Sequence, residues 1–84
     1  MWGMARPSKQ AGISPALASF GEAVRVARLE QGLSQEALAD LAGLDRSYMG
    51  GIERGEHNVA LINIQKVAVA LKLSVAELMT LADL

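Results

Sequence analysis

Two short apolar-faced segments, separated by a single glycine, constrain this chain more than any other part of it. They fill residues 33–55, LSQEALADLAGLDRSYMGGIERG. Ser34 is a hydroxyl placed to cap a helix start, and Leu38, Ala39 and Ala42 follow at the three-and-four spacing of one helical face. Gly43 stops that helix. Asp45 is placed to cap the next one, which carries Tyr48, Met49 and Ile52 and ends at Gly55. Helices this short are marginal alone, so each must lay its apolar face on the rest of the chain.

The rest supplies three more helices. Ser14-Pro15 is a helix-start pair, and Leu17, Phe20, Ala23, Val24 and Ala27 form an apolar face before Gly32 ends the run. A fourth helix, from about residue 61 to 71, buries Ile64, Val67, Ala68 and Leu71. Ser74-Val75-Ala76-Glu77 matches a capping box and opens a fifth, with Leu78, Leu81 and Ala82. Five helices with no strand signal and no repeat predict an all-α fold. Eighty-four residues make one domain, expected over 14–84 behind a flexible arm of residues 1–13. With one Trp, one Tyr and one Phe among 51% apolar residues, the core must be aliphatic.

Composition excludes several functions. There is no cysteine and only one histidine, His57, so a metal site is not expected and an exposed loop histidine is. No apolar run approaches the roughly 20 residues of a membrane span, and the N-terminus has no apolar leader core; a cytoplasmic location follows. No acid–base pair, nucleophile–histidine arrangement or phosphate-cradling loop is present, so neither an enzyme nor a cofactor or small-molecule ligand is expected. The formal charge of −1 sits awkwardly with a nucleic-acid partner, although phosphate contacts are local and net charge is a sum.

Two helices joined by a tight turn are the form in which a second helix enters the DNA major groove. From about residue 20 to 78 the chain resembles the Cro/phage-repressor (XRE-type) class of helix-turn-helix domains, with the lambda-repressor-like five-helix fold. The stretch LDRSYMGGIERGEHNVALINIQKVAVAL is similar to the small controller proteins of restriction–modification systems. The resemblance implies a helix-turn-helix over about 34–55 and helices over about 61–83 that build a dimer. It implies Gln35 beside a phosphate, and Arg46, Ser47 and Gly51 facing base edges. It also implies an internal Arg28–Glu53 pair, and Arg54, His57 and Asn58 where the following loop meets the DNA backbone. Two features depart from the class: the pair Gly50-Gly51 replaces bulkier residues, and Ala60 replaces a hydroxyl cap.

Physical chemistry gives these positions content. Arg46 leads the third helix, and its planar fork can take O6 and N7 of guanine. Ser47 can donate to base or phosphate, and the Tyr48 hydroxyl can reach a phosphate or stay in water above a packed ring. Without side chains, Gly50 and Gly51 permit close approach to DNA, or merely close packing. Gln35 lies at the positive end of a helix dipole. Arg6 and Lys9 lie on the arm, and basic arms can enter a minor groove. Glu36, Asp45 and Glu56 near that side would be repelled by phosphate unless turned away or used as caps. Apolar residues on the last two helices, Ile62, Val69, Val75, Leu78, Met79, Leu81 and Ala82, exceed what one small core covers and predict a two-fold homodimer. The leading expectation is a dimeric DNA-binding regulator on a near-palindrome, in the controller role. Alternatives are a prophage-type repressor, an antitoxin-like autoregulator, or a protein-interaction module that binds no DNA.

Overall fold

A computed structural model describes residues 14–84. Five helices follow in order: α1 Pro15–Glu30, α2 Gln35–Ala42, α3 Arg46–Glu53, α4 Leu61–Ala70 and α5 Val75–Leu81, with no strand among the described residues. The arm over residues 1–13, with Arg6 and Lys9, lies outside the described residues.

Most helices begin where a side chain satisfies the open amides of the first turn. Ser14 Oγ accepts from the amides of Ala16 and Leu17 at 3.1 and 3.3 Å. Ser34 Oγ accepts from Ala37 at 3.0 Å. Asp45 Oδ2 accepts from Ser47 and Tyr48 at 3.0 and 3.3 Å. Ser74 and Glu77 cap reciprocally, at 2.9 Å to Ser74 Oγ and 2.8 Å to Glu77 Oε1. Ala60, before α4, has no side-chain acceptor to offer. The sharpest junction is Gly43, whose φ of 69° ends α2 so that the cap of α3 follows two residues later. α4 has no glycine to stop it and closes instead with Lys72 at φ 62°.

α1 packs on α3 and α5, α2 on α3 and α4, and α4 on α5. Between them lies the expected aliphatic core: Phe20, Val24, Ala27, Leu38, Ala39, Met49, Ile52, Val67, Ala68 and Leu71 are all buried. α5 corrects part of the dimer expectation. Leu78 is 0% exposed and Ala82 is 4% exposed, so both belong to the core and present nothing to a partner. Val75 and Met79 are half-buried against that core. Leu81, also expected at a dimer contact, is 57% exposed. A helix resting on two neighbours sinks one side among them and leaves the other open; α5 has apolar residues on both.

The α1–α3 crossing is close enough to exclude a single methyl. A Cβ added at Gly21 would strike the carbonyl oxygens of Ile52 and Glu53. Backbone atoms at the end of α3 cannot step aside as a side chain can. Gly21→Ala should cost about 3 kcal/mol by forcing the two helices apart. Its melting temperature, followed by circular dichroism, should fall by about 10 °C or more.

Candidate nucleic-acid interface

The end of α3 is fastened through one carboxylate. Glu53, with its side chain 3% exposed, accepts from Arg28 Nε at 2.7 Å and from Arg28 Nη2 at 3.0 Å. The amide of Gln35 donates to the same carboxylate, at 3.0 Å to Oε1. Arg28 spends its remaining nitrogen on the carbonyl of Leu33, 2.9 Å away. The Glu53 hydrogen bonds raise the Arg28 pKa further above its ordinary value, against the opposing effect of burial. Thus α1, the α1–α2 connection, the start of α2 and the end of α3 share one polar joint. Gln35, expected beside a phosphate, turns its side chain inward to this joint.

With its far end held, α3 presents its start. Arg46 and Ser47 are exposed, and Arg46 makes no ion pair among the described residues. Tyr48 is half-buried; its hydroxyl accepts from Asn63 Nδ2 at 3.2 Å, which ties α3 to α4. Its ring lies 5.0 Å, centroid to centroid, from the imidazole of His57.

The glycine pair is resolved by what covers it. Both Gly50 and Gly51 are buried. The space that a Cβ on Gly51 would take is filled by the His57 ring, so the surface above position 51 is imidazole. A base contact from Gly51 itself is corrected accordingly, and His57 is half-buried rather than freely exposed. Over Gly50 stand the Arg54 guanidinium and the Gln35 side-chain oxygen, 3.0 and 3.3 Å from an added Cβ. Arg54, just past α3, is gripped at two points by Glu56, from Nε at 2.9 Å and from Nη2 at 3.2 Å. That hydrogen-bonded pairing holds the Glu56 carboxyl below its usual range and raises Arg54. Asn58 is exposed. The structure therefore brings Arg46, Ser47, Tyr48, His57 and Arg54 around α3, a rigid helix end flanked by cations and one aromatic–imidazole pair. The seating of His57 and the grip of Glu56 were not legible in the sequence; only the unusual glycine pair hinted at the first.

Two short helices joined at Gly43, the second with its far end fastened to the bundle and its polar start exposed, have the arrangement of a helix-turn-helix. Residues 24–78 match the family model described as helix-turn-helix, and the chain belongs to that family. Among its relatives, the control protein C.SmaI of Serratia marcescens is 48% identical over 61 residues, covering 73% of each protein. A hypothetical transcription factor of Neisseria meningitidis serogroup B is 45% identical over 56 residues, 67% of this chain, which spans about half (53%) of that protein's length. The solved restriction–modification controller protein C.AhdI of Aeromonas hydrophila superposes with a TM-score of 0.76 at 54% identity, over 77% of this chain and 98% of that one. The controller protein C.Esp1396I, solved as a tetramer in complex with its natural 35 base-pair operator, superposes with a TM-score of 0.78 at 30% identity, over 83% of this chain and 92% of that one. No helix of the described residues is long and apolar enough to cross a membrane.

Two measurements test the joint and the glycine slot. Glu53→Gln keeps shape but removes the charge that answers Arg28. It should lower unfolding free energy by about 3 kcal/mol, because a stranded buried guanidinium costs more than a lost surface pair. Urea denaturation of the DNA-free protein reads this directly. At the glycines the two alanine variants should differ. Gly50→Ala needs only a small shift of a long side chain and should gain up to about 1 kcal/mol in helix propensity. Gly51→Ala evicts His57, so its gain should be cancelled and the Tyr48 ring resonances should move in NMR spectra.

Proposed function

We propose that this protein is a sequence-specific, double-stranded-DNA-binding regulator of transcription, not an enzyme. It works in the cytoplasm as a homodimer on a near-palindromic operator, in the controller role of a restriction–modification system. The observation that carries this reading is the exposed Arg46, without an ion pair among the described residues, at the start of a helix whose other end is fastened through Glu53. A guanidinium there can address guanine O6 and N7, with Ser47 beside it for a neighbouring base or phosphate. Tyr48, His57, Arg54 and Asn58 are the backbone-contacting set, and Gln35 contributes through the start of α2. The controller role is supported by the named relatives, one of which was solved on its operator.

The dimer reading rests on apolar residues that the fold leaves open on α4, α5 and the chain end. Ile62, Val69 and Leu81 are exposed, as are Leu61 and Leu84. α5 lies against α1 and α4, so association through this side leaves α3 free to meet DNA. Two copies of α3 then fall about 34 Å apart, one turn of the duplex.

In vitro selection from random duplex DNA tests the whole reading. The expected product is an inverted repeat with half-site centres about 10 base pairs apart. Arg46→Ala should bind that selected sequence about tenfold to a hundredfold more weakly. Failure to enrich any sequence would favour a protein-interaction module. Equal binding by Arg46→Ala would move the base contact elsewhere.

A further inference from the structure

Arg54 stands at the end of α3 with its guanidinium already occupied. Glu56 takes it at two points while both side chains remain open to solvent, 60% and 47% exposed. A carboxylate and a phosphate offer the same fork of two oxygens to a guanidinium. A buried pair could not be exchanged for DNA, and a single-point contact would compete poorly; an exposed two-point pair does neither.

We propose that Glu56 is an internal stand-in for a DNA phosphate. It fills the Arg54 fork, must be displaced before that side chain can grip the backbone, and so lowers affinity for every duplex alike. Base discrimination is left to the start of α3. The proposal rests on the DNA-binding reading above and adds to it a residue that sets overall affinity. A purely structural role for the pair is poorly motivated. The loop is already pinned by its own backbone, with the Gly55 amide on the Ile52 carbonyl at 3.0 Å and the Glu56 amide on the Gly51 carbonyl at 2.9 Å. Of the other acids near α3, Asp45 caps two amides and Glu53 is enclosed by Arg28 and Gln35, while Glu36 on α2 is exposed and holds no arginine among the described residues. Glu56 alone holds a solvent-exposed arginine of this face.

Fluorescence anisotropy on a selected operator and on a scrambled duplex, at physiological salt, separates the possibilities. Four full-length proteins are compared: wild type, Glu56→Gln, Arg54→Ala and the double variant, with circular dichroism confirming that each is folded. Glu56→Gln should bind both duplexes more tightly, by about threefold per protomer and roughly tenfold for a dimer, the scale of an exposed ion pair. The ratio of operator to scrambled affinity should stay constant, since a phosphate contact carries no sequence information. In the Arg54→Ala background the same substitution should gain about twofold or less. An equal gain in both backgrounds would mean simple charge repulsion and overturn the proposal. No gain, or a loss, in Glu56→Gln would also overturn it while leaving the DNA-binding reading intact. If wild type binds neither duplex, even at low salt, both fall together.

Discussion

The buried carboxylate of Glu53 is the point on which the orientation of α3 depends. It gathers donors from two other helices, Arg28 of α1 and Gln35 of α2, while Arg28 also reaches back to the Leu33 carbonyl. An ion pair taken out of water is a weak source of net stability, because desolvation cancels much of the attraction. Its consequence is geometric. Hydrogen bonds of 2.7 to 3.0 Å from planar donors tolerate little rotation, so the end of α3 has one arrangement relative to α1 and α2. Gly21 sharpens the constraint by bringing α1 against the last carbonyls of the same helix. An eight-residue helix held so firmly at one end carries its other end, and Arg46, to a defined place. Apolar packing of Met49 and Ile52 alone would fix the depth of α3 more firmly than its rotation.

What the sequence made legible was mostly local. Ser14, Ser34, Asp45 and the Ser74–Glu77 box cap where their spacing predicts, because a cap is decided within one turn of chain. The inward faces of α1 to α4 follow from periodicity, although α4 also leaves Leu61, Ile62 and Val69 exposed. Non-local outcomes were hidden. In a seven-residue helix with apolar residues nearly all round, nothing local says that Leu78 and Ala82 turn inward and Leu81 outward; the positions of α1 and α4 decide it. The stop at Lys72 carries no glycine signal. In the candidate interface, the resemblance implied the Arg28–Glu53 pair, but not that Gln35 would join it. Nor could spacing reveal that His57 seats on Gly51, a contact made by the loop folding back over α3.

For the proposed duplex partner a net charge of −1 is an apparent electrostatic problem, and the pairing of most acids near α3 answers much of it locally. Asp45 spends its carboxylate on two backbone amides at the start of α3, where the helix dipole also favours a negative group. Glu53 is enclosed by its donors. Glu56 is matched by Arg54, point for point. Three of the acids on this side therefore have a partner within hydrogen-bonding reach, Glu36 on α2 stays exposed without one among the described residues, and Arg46 makes no ion pair among them. The field that a duplex meets is set by such short-range pairings more than by the sum over the chain, because charges beyond about 10 Å are screened at ordinary ionic strength. Affinity obtained this way leans on a few well-aimed contacts, which is the regime in which phosphate attraction does not swamp base readout.

The same economy bears on assembly. A domain this small covers a modest fraction of its surface on folding, and its core is filled by Leu, Ile, Val, Met and Ala with one Phe. Yet Leu61, Ile62, Val69, Leu81 and Leu84 stay exposed at more than half their area. Residues of this kind, left on two adjoining helices, stabilise the monomer hardly at all and favour association instead. Should two copies meet there, folding, dimerisation and operator occupancy become linked equilibria, and each depends on protein concentration. At low concentration a lone protomer would hold one recognition helix and contact half the phosphates. At higher concentration both helices would be delivered at a fixed spacing. A regulator built so would respond to its own accumulation through mass action.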